Sequence, residues 1–298
     1  MVKIDLITGF LGAGKTTFLT KYAKYLISLG EKVCILENDF GAINVDMMLI
    51  SDLDCDREMI AGGCDYDCHL RRFRTKLISM AMRGYTRVIV EPSGVYDTDE
   101  FFDTLYDDTL SSLYEIGNIF CVYDINTKNL SYESRYILVS EASCAGKLIV
   151  SKRRNKELLD LNYLNSIMKE FNCIRVFKND DIIYEDEMNY EDLLDSKYHQ
   201  FDYIKVLSHD DVSFDSFYYF NNKKSLDELL IIKDKLFNNS EYGNVSRIKG
   251  FIYDNGWKRI NITHDDIDVS DNIDGQDVII VIGENLKNDK IELLFNGD

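Results

Sequence analysis

The stretch Gly9-Phe-Leu-Gly-Ala-Gly-Lys15-Thr16 decides the fold of this chain. It matches the pattern G-x4-G-K-[ST], with an apolar segment typical of a strand before it and a helical segment after it. Glycines at these places let successive backbone N–H groups turn inward around phosphate oxygens, and the positive end of the helix adds to the attraction. The sequence therefore predicts a phosphate-binding loop, the P-loop, for a nucleoside triphosphate. The alternative is a chance glycine turn before a helix, which the flanking segments disfavour.

The side chains and the backbone of the P-loop have separate expected tasks. Lys15 is the cation that reaches the outer phosphates, and the Thr16 hydroxyl is a ligand for Mg²⁺. The Thr17 hydroxyl is expected to hydrogen-bond an inner phosphate. The backbone cradle is formed by four further residues, Gly9, Gly12, Ala13 and Gly14.

Another apolar strand, further along the chain, ends in an acid at Glu91, with glycine three residues later at Gly94. P-loop nucleotidases need an acid at such a strand end to hold Mg²⁺, and a backbone N–H near the γ-phosphate that responds to hydrolysis. We expect Glu91 and Gly94 to fill these two roles. Many strands end in E-x-x-G, so this motif gains its meaning from the P-loop that precedes it.

The first half of the chain alternates predicted strands and helices. Five segments are apolar and β-branched, as buried parallel strands are: Lys3–Thr8, Lys32–Glu37, Thr86–Glu91, Asn118–Tyr123 and Lys147–Ser151. Helices are predicted at Thr16–Leu29 and Cys68–Arg83, each followed by a glycine. This alternation predicts an α/β P-loop NTPase with a mainly parallel sheet flanked by helices, and a ligand site at the carboxyl ends of the strands.

The pattern changes after about residue 200. Strands are predicted at Tyr203–Leu207, Ser216–Phe220, Ser246–Tyr253 and Val278–Gly283, and helices at Leu226–Phe237 and Asn285–Phe295. These elements predict a smaller α+β domain with an antiparallel sheet. We therefore expect a P-loop domain at 1–195 and a small domain at 200–298. The acid-rich segment 178–198 is expected to end the first domain and connect it to the second.

Composition excludes several classes of protein. The chain has 298 residues, 45% of them hydrophobic, and a formal net charge of −18, which disfavours nucleic acid as a partner. No signal-peptide pattern precedes the first strand, and apolar runs such as Val278–Ile282 are too short to span a bilayer. We expect a cytoplasmic protein without a membrane partner, whose seven cysteines are thiols.

Three segments resemble the CobW-like metallochaperone GTPases, to which UreG and HypB are more distant relatives: GFLGAGKTT at 9–17, ILENDFGAINVD at 35–46 and VEPSG at 90–94. The tail is similar to the small C-terminal domain of that family, so the resemblance covers nearly the whole chain. The resemblance implies hydrolysis of GTP coupled to delivery of a metal, or a metal cofactor, to a client metalloprotein. A homodimer is a further arrangement that we consider.

The resemblance also implies that the segment 37–41 is a switch loop. Family members commonly have Glu where this chain has Asp39, a shortening that keeps the charge. We expect Lys15, Asp39 and Glu91 to form the catalytic set. A solvated turn after the second strand is the alternative for the carboxylates of this loop.

The base-reading box departs from the pattern of the family, [NTS]-K-x-D. Here it reads Ser151-Lys152-Arg153-Arg154, with arginine in place of the aspartate that would accept from the guanine N1 and N2 donors. We expect Ser151 and Lys152 to remain base-site residues. The resemblance therefore implies GTP, although Arg154 cannot accept hydrogen bonds from the guanine donors. ATP is the alternative nucleotide.

The cysteine motif of the family, Cys-x-Cys-Cys after a glycine, is also altered. This chain has Cys64 and Cys68 with three residues between them, followed by His69. That spacing can place both thiolates on one helix face, and thiolates with imidazole or carboxylate suit Zn²⁺ or Co²⁺. We expect Glu37, Cys64, Cys68 and His69 to bind a transition metal, with Cys55 as an alternative fourth ligand. Small buried residues at a tight turn are the competing interpretation.

Two other functions compete with gated metal delivery. One is a nucleotide-dependent activator or scaffold that binds a metalloenzyme and carries no metal itself. The other is an ATP-using kinase or ligase, for which the sequence shows no substrate-site signature.

Overall fold

The computed structural model describes residues 1–39, 55–61, 66–94, 98–128, 130–199, 214–264, 266–272 and 277–296. The chain divides into two compact units, residues 1–206 and 207–298. Within the described ranges, no helix combines the length and the apolar character needed to cross a membrane. The described cysteines are free thiols, as the sequence predicts.

Seven strands form a parallel sheet in the described part of the first unit, in the order β3-β2-β4-β1-β5-β6-β7. The strands are β1 Val2–Thr8, β2 Val33–Asp39, β3 Asp56–Ala61, β4 Arg87–Pro92, β5 Tyr114–Asp124, β6 Lys147–Ser151 and β7 Ile182–Tyr184. The carboxyl ends of parallel strands share one edge of the sheet. Because β1 lies between β4 and β5, the P-loop that follows β1 adjoins the ends of both neighbours.

Helices pack against this sheet. They are α1 Lys15–Ser28, α2 Tyr66–Ala81, α3 Thr98–Leu105, α4 Asp108–Leu113, α5 Tyr132–Ser143 and α6 Leu161–Glu170. The apolar residues of α1 recur at helical spacing and are buried, namely Phe18, Leu19, Tyr22, Ala23 and Leu26. They pack against Phe120 and Val122 of β5, so the helix that follows the P-loop is fixed on the core of the sheet.

A buried polar network ties β1 to its neighbours. Arg87 of β4 donates to the Asp5 carboxylate of β1 at 2.7 Å, and the Tyr22 hydroxyl donates to the same carboxylate at 2.9 Å. The Asn118 backbone N–H of β5 donates to its other oxygen at 2.7 Å. Burial raises the pKa of Asp5, while Arg87 and these hydrogen bonds act in the opposite direction. The network therefore joins β1, β4, β5 and α1 at one point.

The second unit is an antiparallel sheet with two described helices. Its strands lie in the order β11-β10-β9-β12-β8 within the described residues. The elements are β8 Phe214–Phe220, α7 Leu226–Asn238, β9 Asn244–Tyr253, β10 Trp257–Thr263, β11 Ile267–Asn272, β12 Val278–Glu284 and α8 Asn288–Asn296. Ser225 and Glu228 form a capping box at the start of α7. The predicted α/β class with a smaller α+β unit is confirmed.

Several elements differ from the sequence-based expectation. The segment 178–198 is more than a connection, because Ile182–Tyr184 pairs with β6 and Leu193 lies in the core of the first unit. Strands β3, β10 and β11 were not predicted. Helix α8 begins after its predicted start at Asn285, whose backbone is left-handed with φ 52°. The predicted strand at Tyr203–Leu207 lies outside the described residues, and the bounds 1–195 and 200–298 stay a prediction.

Replacing Arg87 with alanine should lower the free energy of unfolding by about 3–5 kcal/mol, because Asp5 would stay buried without its cation. Arg83→Ala is the matched control, since the side chain of Arg83 is 51% exposed in its ion pair with Glu58 and should matter far less. Urea denaturation measures both variants. Equal losses in the two variants would contradict the role given to the buried pair.

Candidate nucleotide site

The P-loop connects the end of β1 to the start of α1. The backbone of Gly9 has φ 138°, in the region that favours glycine. A Cβ atom at this position would lie 2.3 Å from the carbonyl oxygen of Val122 in β5. Glycine is therefore required at the first position of the motif by both the backbone conformation and the neighbouring strand. Gly12, Ala13 and Gly14 complete the predicted cradle before α1 begins.

Lys15 is the first residue of α1, and its side chain folds back over the loop. Its ammonium group donates to the carbonyl oxygen of Gly9 at 2.7 Å, and the residue is only 7% exposed. The cation thus lies across the loop that the motif predicts to hold phosphates. Thr17, in the same first turn, is an exposed residue.

Thr16 and Glu91 come together from distant parts of the sequence. The Thr16 hydroxyl donates to a carboxylate oxygen of Glu91 at 2.8 Å. This contact follows from the strand order, because α1 starts beside β1 and Glu91 lies near the end of the adjacent β4. Hydroxyl and carboxylate oxygens are the hard ligands that Mg²⁺ prefers. The donor set at this point of the molecule therefore fits Mg²⁺.

Gly94 packs directly against the P-loop. A Cβ atom at Gly94 would lie 2.8 Å from the backbone nitrogen of Leu11, so a larger residue would displace the loop or the turn after β4. The preceding residue, Ser93, donates its backbone N–H to the Asn38 carbonyl of β2 at 2.9 Å. The turn that carries Gly94 is thereby attached to both the P-loop and the end of β2.

Glu37 lies beside Glu91 in the register of β2 and β4. Register partners in a parallel pair point to the same face of the sheet. Both acids are buried, at 3% and 7% exposure. The expected transition-metal ligand and the expected Mg²⁺ ligand therefore share one face of the sheet, which the sequence did not reveal.

The base-reading segment follows β6 and also touches the P-loop. The Ser151 hydroxyl donates to the Ala13 carbonyl at 2.6 Å, and Lys152 pairs with Asp124 at the end of β5 at 3.1 Å. The side chain of Arg153 is 3% exposed and lies against β7 and the residues that follow it. Its guanidinium lies 4.1 Å from the ring centroid of Tyr184 and donates to the Asp186 carboxylate.

A comparison with known families shows the family of this chain. A model of the CobW/HypB/UreG nucleotide-binding domain matches residues 3–175, more than half of the chain. The chain belongs to this family. The predicted CobW-like P-loop GTPase family is therefore confirmed, and the P-loop, Glu91 and the base-reading segment all lie inside the matched region.

Individual relatives of this CobW/HypB/UreG chain are distant in sequence. The zinc chaperone YjiA of Escherichia coli is 24% identical over 160 residues, which cover 51% of this chain and 49% of YjiA. The zinc-regulated GTPase metalloprotein activator 1 of Schizosaccharomyces pombe is 26% identical over 187 residues, which cover 58% of this chain and 44% of the activator. The chain thus spans less than half the length of each of these relatives.

Two solved structures of related proteins align with this chain. The Zn(II)-bound YjiA GTPase of E. coli has a TM-score of 0.38 at 17% identity, with 99% of this chain and 98% of YjiA covered. The hydrogenase maturation factor HypB of Archaeoglobus fulgidus has a TM-score of 0.41 at 14% identity, with 65% and 87% covered.

The expected transition-metal ligands of this CobW/HypB/UreG chain are described only in part. Glu37 lies on β2, while half-buried Cys68 and fully buried His69 lie in the first turn of α2. Cys64 and the side chain of Asp39 lie outside the described residues. Among the side chains that the structure describes, no three His, Cys, Asp or Glu residues cluster so as to hold a metal ion. The four-ligand set stays a prediction.

Acids next to the base-reading box were missed in the sequence. Asp186 and Glu187 follow β7 and pair with Arg153 at 2.8 and 2.9 Å. Arg154, which replaces the expected aspartate, is exposed. The acidic run after Ile182–Tyr184 was visible in the sequence, but only the pairing of β7 with β6 brings it to the box.

Arg154→Asp should raise the preference for GTP over ATP about 10-fold or more, because a carboxylate there can accept from the guanine N1 and N2 donors. In the unchanged protein we expect GTP to be favoured by only about 10-fold. Competition titrations with both nucleotides measure the ratio, and Lys156→Asp is the control for a charge reversal outside the box. Rejection of ATP by more than about 10³-fold in the unchanged protein would show that another group reads the base.

Proposed function

We propose that this protein is a Mg²⁺-dependent nucleoside triphosphatase, with GTP as its nucleotide, that couples nucleotide state to delivery of a metal or metallocofactor to a client protein. The observation that carries the proposal is the 2.8 Å hydrogen bond from Thr16 to Glu91. The bond brings a P-loop hydroxyl and a strand-end carboxylate together, and this pair of hard oxygen ligands supports a Mg²⁺ site beside the phosphates. Membership of the CobW/HypB/UreG family supports the nucleotide site.

The residues of the site suit the separate needs of triphosphate binding. Lys15 would exchange its contact with the Gly9 carbonyl for the outer phosphates, and the backbone of the loop would hold the inner ones. Thr16 and Glu91 would hold Mg²⁺, which neutralises charge on the phosphates when bound. The turn at Gly94 packs on the P-loop, and its backbone N–H would respond to the γ-phosphate.

The delivered metal is a cargo, and transition-metal chemistry is favoured by the thiols at Cys64 and Cys68. Relatives named as zinc chaperones and as a zinc-regulated GTPase metalloprotein activator make Zn²⁺ the first metal to test, with Co²⁺ as its spectroscopic substitute. The neighbouring carboxylates of Glu37 and Glu91 offer a direct physical link between cargo and nucleotide. A shift of Glu91 toward Mg²⁺ would change the surroundings of Glu37.

The second candidate is a nucleotide-dependent activator that binds a metalloenzyme without carrying metal. It shares the P-loop site and differs in the cargo. Stoichiometric Zn²⁺ or Co²⁺ on the purified, reduced protein, lost in the Cys64→Ser/Cys68→Ser variant, separates the two functions. No stoichiometric metal on the unchanged protein would favour the activator, whereas equal stoichiometric metal in both forms would mean that other residues bind it.

Lys15→Ala should weaken binding of a Mg²⁺-bound triphosphate by at least about 10- to 100-fold and remove its hydrolysis, because the side-chain cation aimed at the phosphates is lost. The measurement is titration with a fluorescent GTP analogue, followed by phosphate release. Lys21→Ala is the matched control on the same helix, since Lys21 pairs with Glu185 at the surface. Equal affinity of the Lys15 and Lys21 variants would remove the basis of the proposed function.

A further inference from the structure

A carboxyl group is buried directly behind the P-loop. Glu141 lies near the end of α5 and is fully buried, at 0% exposure. The Thr8 hydroxyl, at the end of β1, donates to the backbone carbonyl of Glu141 at 2.9 Å and fixes α5 against the start of the loop. No role in phosphate or Mg²⁺ binding that we have described uses this residue.

The environment of the Glu141 carboxyl is poor in hydrogen bonds. Neither of its oxygens has a hydrogen-bond partner of ordinary geometry within the described residues. A buried acid without such partners is costly to ionise. Burial raises the pKa of Glu141 to about 8, while the charge of Lys15 and the backbone N–H of Gly9 lower it in part.

The groups that face Glu141 belong to three further elements. Lys15 comes from α1, Thr8 and Gly9 from the end of β1 and the P-loop, and Cys121 from β5. Burial raises the pKa of the Cys121 thiol well above its usual range, so this group stays neutral. Lys15 is therefore the cation among the described residues that acts on Glu141.

Gly9 connects Glu141 with Lys15. Its N–H faces the Glu141 carboxyl, and its carbonyl oxygen accepts the 2.7 Å hydrogen bond from Lys15. Lys15 is thus held at the same residue, Gly9, whose N–H faces the buried acid. An ionised Glu141 attracts Lys15 toward this place, and the attraction is strong because both groups are withdrawn from water.

We propose that Glu141 is a positioning residue for Lys15: its ionised form retains Lys15 at Gly9 in the empty loop, and its protonated form releases Lys15 to the phosphates. The inference rests on the proposed nucleotide site and adds a proton to its binding reaction. Phosphates bring negative charge toward the acid and withdraw Lys15 from it. Nucleotide binding therefore favours protonated Glu141. At pH values where the Glu141 carboxyl is ionised in the free protein, binding takes up a proton.

The direction of the pH effect follows from this linkage. Below pH 8 the Glu141 carboxyl is already protonated in the free protein, so nucleotide binding takes up no proton. Above pH 8 this carboxyl is ionised in the free protein, so each binding event takes up one proton from solution. The affinity should fall as the pH rises, by at most about tenfold per pH unit for one proton.

The test is the dissociation constant of a non-hydrolysable GTP analogue with Mg²⁺, measured between pH 7 and pH 9. We expect the unchanged protein to lose about tenfold in affinity over this range. Glu141→Gln, which keeps the shape and removes the titration, should vary by less than about twofold beyond the effect common to both. Glu284→Gln is the control, a buried acid of the second unit, and should keep the full slope. Equal slopes in the unchanged protein and Glu141→Gln would overturn the inference.

A second measurement covers the case in which Glu141→Gln fails to fold. Calorimetry of the unchanged protein at pH 8.5, in two buffers of different ionisation enthalpy, gives the protons taken up per nucleotide. We expect more than about half a proton, and none would overturn the inference. The proposed function is tested separately, because it fails only if Lys15→Ala leaves nucleotide affinity intact.

Discussion

The buried ion pair between Asp5 and Arg87 joins β1 to β4, and the candidate site lies where these two strands end. Tyr22 of α1 and Asn118 of β5 complete the same network, so the P-loop, its helix and both neighbouring strands share one anchor. A parallel sheet with β1 at this place brings the P-loop beside Glu91 without any local sequence relation between them. The hydrogen bond from Thr16 to Glu91 is a consequence of that arrangement.

The same strand order pairs the end of β2 with the end of β4, beside the candidate nucleotide site. Glu37 and Glu91 are register partners, and the backbone of Ser93 is hydrogen-bonded to Asn38, so the ends of β2 and β4 are attached to each other. Gly94 then connects this pair of strand ends to the P-loop. A movement of Gly94 in response to the γ-phosphate would therefore also move the end of β2, which carries Glu37, an expected ligand of the cargo metal. On the other side of the P-loop, we propose that the protonation state of Glu141 controls the position of Lys15.

The positions of the P-loop and of Glu91 in the fold could be predicted from the sequence, because each is a local pattern at the end of an apolar strand. The burial of Glu141 could not be predicted from the sequence. An acid within Tyr132–Ser143 is typical of the polar side of an ordinary helix, and only tertiary packing buries it. Strand β7 could not be predicted, because it has only three residues and acidic residues surround it. Its pairing with β6 makes it a strand. The acids that face Arg153 follow from that same non-local pairing. The transition-metal ligands rest on the cysteine spacing and on the resemblance to the family. Their set stays a prediction, because Cys64 lies outside the described residues.

The central claim is that nucleotide state controls metal binding. Its most direct test is the Co²⁺ and Zn²⁺ affinity of the reduced protein, measured once with a non-hydrolysable triphosphate and once with the diphosphate, each with Mg²⁺. Couplings of this kind amount to about 1–3 kcal/mol, so the account predicts metal affinities that differ by about 5- to 150-fold between the two states. It also predicts that Cys64→Ser/Cys68→Ser removes the metal binding in both. Identical metal affinities with triphosphate and diphosphate would contradict the account, even if both sites bind their ligands.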